Sequence, residues 1–155
     1  MRHNTIDTKH FGEVKYNENE VITFEEGIPG FGDITKFILL ADSPNDLFRW
    51  LQSTEDTEVA FVLMDVKQIK PDYNPSIEGE LIADLQNGTP LLYYNIAVVP
   101  EDLQQMRVNL KAPIIINQAM RLGKQVITSD EEYTVRHYIF DDIQKSQQNG
   151  QVIEC

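Results

Sequence analysis

The chain has one cysteine in 155 residues, Cys155, at its C-terminal end. An internal disulfide is therefore excluded, and a reducing compartment is expected. No apolar run approaches the ~20 residues that a membrane-crossing helix requires. The N-terminal Met-Arg-His-Asn-Thr lacks the apolar core of a secretory signal, so a cytoplasmic protein is expected. Basic residues are scarce, with 13 Lys and Arg against 25 Asp and Glu and a formal net charge of -12. Such a surface repels phosphate backbones, which argues against direct binding of nucleic acid and in favour of a basic protein partner. The first 60 residues carry 12 acidic and 5 basic side chains, whereas residues 101–155 carry 8 and 6. An electrostatic docking face is expected in the first third.

The motifs of catalysis and cofactor binding are also missing. Gly27, Gly30 and Gly32 do not fall at G-x-G-x-x-G spacing, and no Gly-Lys-Ser/Thr follows them. The histidines at 3, 10 and 137 form no His-x-x-x-His or His-x-His pair, and no second cysteine completes a structural zinc set. No Gly-x-Ser-x-Gly elbow frames a nucleophile. The pairs Glu131-Glu132 and Asp141-Asp142 read as solvated carboxylates rather than an acid–base couple, because neighbours on a strand face opposite ways. Neither metal nor cofactor is expected.

What is present is a series of short apolar runs separated by turn residues. Phe11–Tyr16 and Val21–Phe24 read as a hairpin, and Phe37–Leu40, Phe48–Ser53 and Val59–Met64 as strands. Strands are also expected at Leu91–Val99, Met106–Leu110, Pro113–Asn117, Lys124–Thr128 and Tyr133–Phe140. Ser43-Pro44-Asn45-Asp46 has turn chemistry, as does Arg121-Leu122-Gly123-Lys124. Ile77, Leu81, Ile82 and Leu85 fall at helical spacing within Ser76–Gln86, and short helical turns are expected at Gly32–Lys36 and Glu101–Gln104. Strands at this spacing with one or two short helices predict a mainly β, small antiparallel barrel-like single domain over residues 1–140, followed by a polar tail, 141–155.

The most informative stretch is Phe24-Glu25-Glu26-Gly27-Ile28-Pro29-Gly30-Phe31. Proline followed by glycine predicts a type II turn at Ile28–Phe31. Glu13, Glu25 and Glu26 are expected to contribute to the acidic face, with Ile28 and Phe31 as candidate contacts. Ile28 and Phe31 could plug the interior or anchor a partner. Asn109 and Asn117 bracket a second candidate, the connection Lys111-Ala112-Pro113-Ile114. Their amides either brace that connection through backbone hydrogen bonds or meet a ligand.

Several blocks stand in order along the chain: Phe11-Gly12-Glu13, the Phe24–Phe31 stretch, Trp50-Leu51-Gln52-Ser53, Ala60-Phe61, Asn109 to Asn117, and Gln125-Val126-Ile127. Together these resemble the flagellar assembly factor FliW family over about residues 5–140. The resemblance implies a barrel-like β fold without enzymatic activity. It also implies a partner switch, in which the protein binds the translational repressor CsrA away from its RNA-binding surface and is itself sequestered by flagellin. The competing expectations are a β-barrel enzyme or small-molecule binder with an interior pocket near Asn109 and Asn117, and a chaperone for flagellin alone.

Overall fold

A computed structural model describes residues 3–43 and 46–148. Pro44, Asn45 and Cys155, which figure in the sequence reading, lie outside these residues. The strands are β1 (His3–Thr8), β2 (Gly12–Asn17), β3 (Ile22–Thr23), β4 (Lys36–Leu40), β5 (Phe48–Ser53) and β6 (Ala60–Met64). They continue with β7 (Leu92–Val98), β8 (Arg107–Val108), β9 (Ile114–Asn117), β10 (Leu122–Gln125) and β11 (His137–Tyr138), and one α-helix, α1 (Phe140–Gln148), follows.

β3 to β7 form an antiparallel meander, β9 joins β7, and β10 links β9 back to β3, so seven strands close into a barrel. The expected barrel is therefore observed, with one exception to its antiparallel order: β10 meets β3 in parallel at Leu122 and Thr23. Closure leaves no open edge along this ring. The interior is filled by Ile22, Phe24, Ile28, Phe37, Leu51, Leu63, Ile114 and Ile116, all buried. Each such side chain contributes roughly 1.5–3 kcal/mol by leaving water.

The expected hairpin of Phe11–Tyr16 with Val21–Phe24 is not formed. β2 pairs instead with β1, with Ile6 opposite Val14 and Asp7 opposite Glu13. A single 3₁₀ turn, Glu18–Glu20, carries the chain onward to β3. Ile6, Val14 and Tyr16 on the inward face cover Val21, Ile38 and Leu40 of the barrel wall. At the hairpin tip the ring of His10 stacks on Trp50, with centroids 4.2 Å apart.

β8 and β9 act as one strand interrupted by a bulge. Leu92 pairs with Ile116, whereas Ala97 pairs with Val108, so the register against β7 slips by three residues between them. Beneath this bulge lies a second core of Leu47, Met64, Val66, Ile69, Tyr73, Met106, Val108, Leu110 and Ile139, against which Ile143 of α1 packs. Residues 141–148 of the expected polar tail are thus helical. Asp141 and Asp142 in the first turn and Lys145 in the last match the helix dipole, and Asp142 accepts from His137 at 2.6 Å.

Other local expectations shift for identifiable reasons. Gly32–Lys36 is not helical; Ile34 N–H closes a turn onto Phe31 O, and β4 begins at Lys36. The Ser76–Gln86 helix is a 3₁₀ segment, Gly79–Leu85, kinked at Ile82. In 3₁₀ geometry successive residues turn by about 120°, which buries Ile82 and Leu85 and leaves Leu81 outside. The turn expected at Arg121–Lys124 falls three residues earlier, at 118–121, and Gly123 is a strand residue.

Candidate functional site

The Phe24–Phe31 stretch leaves β3 and folds into successive tight turns. Gly27 N–H donates to Phe24 O at 2.8 Å and Phe31 N–H to Ile28 O at 2.7 Å. Pro29 and Gly30 occupy the centre of the second turn, and Gly30 has φ +89°, as a type II turn requires. The two flanking apolar residues divide. Ile28 is 2% exposed and plugs the barrel interior, whereas Phe31 is 41% exposed and rests edge-on against Phe61 at the rim, with ring centroids 5.2 Å apart.

Glu25 and Glu26 are exposed in the first turn and face a recess between that turn, β10 and the 3₁₀ segment. Lys124 crosses this recess. Its Nζ donates to Leu81 O at 2.8 Å, lies 3.2 Å from Asp84 and 3.9 Å from Glu26. One cation thus stands among the carboxylates of Glu25, Glu26 and Asp84. The long contact to Glu26, which is largely in solvent, is weak, in the range of about 0–1 kcal/mol for surface pairs. Glu26 therefore keeps most of its capacity for a further cation. Beyond Lys124 the recess opens into a depression of ≈ 250 Å³ lined by Glu26, Leu81, Lys124, Gln125, Val126 and Ile127.

The remaining residues singled out in the sequence lie elsewhere. Glu13 projects from the outer face of the hairpin, opposite Asp7, and does not line the recess. Asn109, Lys111, Ala112 and Pro113 form the bulge between β8 and β9, with Ile114 at its exit. Asn109 Oδ1 accepts from Ala112 N–H at 2.9 Å. The backbone N–H groups of Leu110 and Lys111 both donate to Thr134 O, and Lys111 Nζ donates to Asp130 O at 2.9 Å. Ala112, Pro113 and Ile114 are buried. Beneath the bulge, Tyr73 donates its hydroxyl to Leu110 O at 2.8 Å and accepts from Asn95 Nδ2 at 2.9 Å, and Asn95 also donates to Asn109 O. Burial pushes the Tyr73 hydroxyl up to about 12, with the Asn95 hydrogen bond opposing it.

Asn117 is fully buried at the end of β9. Its Nδ2 donates to Leu85 O at 2.7 Å and its Oδ1 accepts from Met120 N–H at 3.0 Å. Both asparagines therefore brace the backbone. Asn117 does so across 32 residues, tethering the 3₁₀ segment that walls the recess.

Leu81, Asp84 and Lys124 in this recess were not singled out by sequence reasoning as site residues. Leu81 looked like a core position at helical spacing, and Lys124 like a turn residue; only the folded contacts join them to Glu26. Ile127 carried a signal, as part of the Gln125-Val126-Ile127 block. Among the described residues, no group of three or more His, Cys, Asp or Glu side chains is placed to hold a metal ion, and no helix is long and apolar enough to cross a membrane.

A small closed barrel filled by apolar side chains, with an acidic recess and a turn-borne aromatic on its surface, defines a β-barrel scaffold. Residues 5–139 match the family described as FliW protein. The flagellar assembly factor FliW of Thermoanaerobacter pseudethanolicus is 44% identical over 148 residues, 94% of this chain and 99% of that protein. That of Ruminiclostridium cellulolyticum is 41% identical over 145 residues, 92% and 98% of the two chains. A crystal structure of the flagellar assembly factor FliW superposes with a TM-score of 0.81 at 32% identity, covering 88% of this chain and 97% of that one. The chain belongs to the FliW family.

Proposed function

We propose that this protein is a non-enzymatic, cytoplasmic partner-switching regulator of flagellar assembly. It binds the basic translational repressor CsrA, relieving repression of flagellin synthesis, and flagellin competes by sequestering it. The observation that carries this reading is the net charge of -12 together with exposed carboxylates at Glu13, Glu25 and Glu26. An acidic surface steers a basic partner and makes the association rate fall with salt. Family membership supplies the flagellar context. Phe31 is the exposed apolar contact of the set, while Ile28, Asn109, Ala112, Pro113, Ile114 and Asn117 act from within by holding the turn and the bulge, and Lys111 braces the bulge edge.

The test is the pair of charge reversals Glu25→Lys and Glu26→Lys, made together and titrated with the repressor at two salt concentrations. Weakened affinity and a shallower salt dependence are expected. Unchanged affinity and slope remove these two residues from the interface. A wild-type protein that captures flagellin but not the repressor in a pull-down would instead be a flagellin chaperone alone. The interior-pocket reading is not favoured by Asn109 Oδ1 or by the Asn117 amide, which are engaged by backbone groups.

A further inference from the structure

The recess beside Glu26 combines acidic and apolar surface. At one end, Glu25, Glu26 and Asp84 outnumber the single cation Lys124, whose Nζ is already held by Leu81 O and Asp84. At the other, Leu81 and Ile127 stand 40% and 66% exposed around the ≈ 250 Å³ depression floored in part by buried Val126. Two large aliphatic side chains flanking one concave surface keep apolar area in water that a partner would remove. The walls are also pre-formed. Lys124 ties the 3₁₀ segment at Leu81 and Asn117 ties it at Leu85, so little ordering accompanies docking.

We propose that this recess docks a basic amphipathic segment of a partner protein. Its apolar side chains cover Leu81 and Ile127, and its Lys or Arg side chains lie beside Glu25, Glu26 and Asp84. Charge complementarity selects this occupant over a second copy of the chain, since a second copy also carries -12 and would bring like charge to an acidic rim. The inference rests on the reading that the protein binds a basic partner, and adds to it a location and an apolar anchor. Binding then has a salt-sensitive part, from the carboxylates, and a salt-insensitive part, from Leu81 and Ile127.

The experiment is calorimetric titration of the purified repressor into the full-length wild type and into Leu81→Asp, Ile127→Asp and Val98→Asp. Val98 has an exposure between those of Leu81 and Ile127 but lies on β7 where it pairs with β8, and does not line the recess. Ile127→Ser provides a milder variant should either aspartate impair folding, which thermal unfolding would reveal. Aspartate at Leu81 or Ile127 is expected to weaken binding about tenfold or more, as truncation of a buried anchor does, and to do so at high salt as well as low. Val98→Asp should bind like the wild type. Wild-type affinity in both recess variants overturns the docking assignment while leaving the proposed function intact. Failure of the wild type to bind the repressor defeats the functional reading itself. Loss of flagellin binding alone, or a wild-type dimer that Ile127→Asp converts to monomer in sedimentation, also overturns the proposal by assigning the recess to another occupant.

Discussion

Gly123 and Phe24 occupy one volume between them. Phe24 is fully buried, and a Cβ added at Gly123 would lie 2.6 Å from its Cε1 and 2.9 Å from its Cε2. The ring of β3's last neighbour therefore reaches across the parallel β3–β10 seam into space that only glycine leaves open. Gly123→Ala is expected to destabilise the fold by about 1–3 kcal/mol through overpacking. Denaturant unfolding checks this, and Phe24→Leu in the same chain should recover part of the loss, giving a favourable coupling in a double-mutant cycle.

The turn at Ile28–Phe31 separates stability from recognition. Ile28→Ala empties a position that is 2% exposed and is expected to cost about 2–5 kcal/mol. Phe31→Ala removes a ring with one edge already in water, and is expected to change stability by less than about 1 kcal/mol. Under the proposed function it should weaken partner binding more than stability. Thermal unfolding and repressor titration of the two variants read these effects apart.

Tyr73 makes stability depend on alkaline pH. Its folded hydroxyl is held at about 12, against 10.0 for the free group, because burial disfavours the phenolate. The native state thus keeps a proton that the unfolded chain releases. The stabilisation is complete below pH 10 and is lost as pH rises through about 12. Tyr94 is raised in the same direction, by burial first and against the opposing effect of Arg49. Tyr73→Phe should give a shallower fall in stability between pH 10 and 12, without abolishing it. At neutral pH it is expected to cost about 1–3 kcal/mol, since Leu110 O loses its donor and Asn95 an acceptor.

Glu55 works in the acid range. Its carboxylate accepts from the backbone N–H groups of Thr35 and Lys36 at 2.8 and 3.0 Å, and these bonds lower its pKa from 4.5. Asp130 is lowered in the same way, first by the N–H of Ser76 and also by the Thr128 hydroxyl. A carboxyl depressed in the folded state stabilises above its unfolded pKa and loses that contribution as pH falls through the folded value. Glu55→Gln with Asp130→Asn should therefore be less stable than the wild type at pH 7, and the difference should close on acidification below about pH 4. Melting temperatures across that range check the sign.

Much of the barrel was readable because its strands are short apolar runs between turn residues. Val59–Met64, Leu91–Val99 and Pro113–Asn117 each contain an observed strand, and Phe37–Leu40 lies within β4. β1 was not readable, since His3–Thr8 offers a single inward aliphatic, Ile6, and its partner was assigned elsewhere. β10 was displaced because glycine and lysine at 123 and 124 mimic a turn, whereas the reason for the glycine is the ring of Phe24, distant in sequence. Asn109 acts locally, on Ala112 three residues away, and so could be anticipated. Asn117 acts on Leu85, and Lys124 on Leu81 and Glu26, contacts that no spacing along the chain encodes. The acidic character of the candidate site was legible; the apolar half formed by Leu81 and Ile127 required the fold.

The stacking of His10 on Trp50 gives the molecule a built-in reporter. Trp50 is the chain's single tryptophan, and its indole lies on the outside of the barrel under the tip of the β1–β2 hairpin. Its emission therefore registers whether the hairpin is seated as well as whether the barrel is folded. A spectral change that precedes loss of far-ultraviolet ellipticity would mark detachment of the N-terminal hairpin as a separate event, observable without any label.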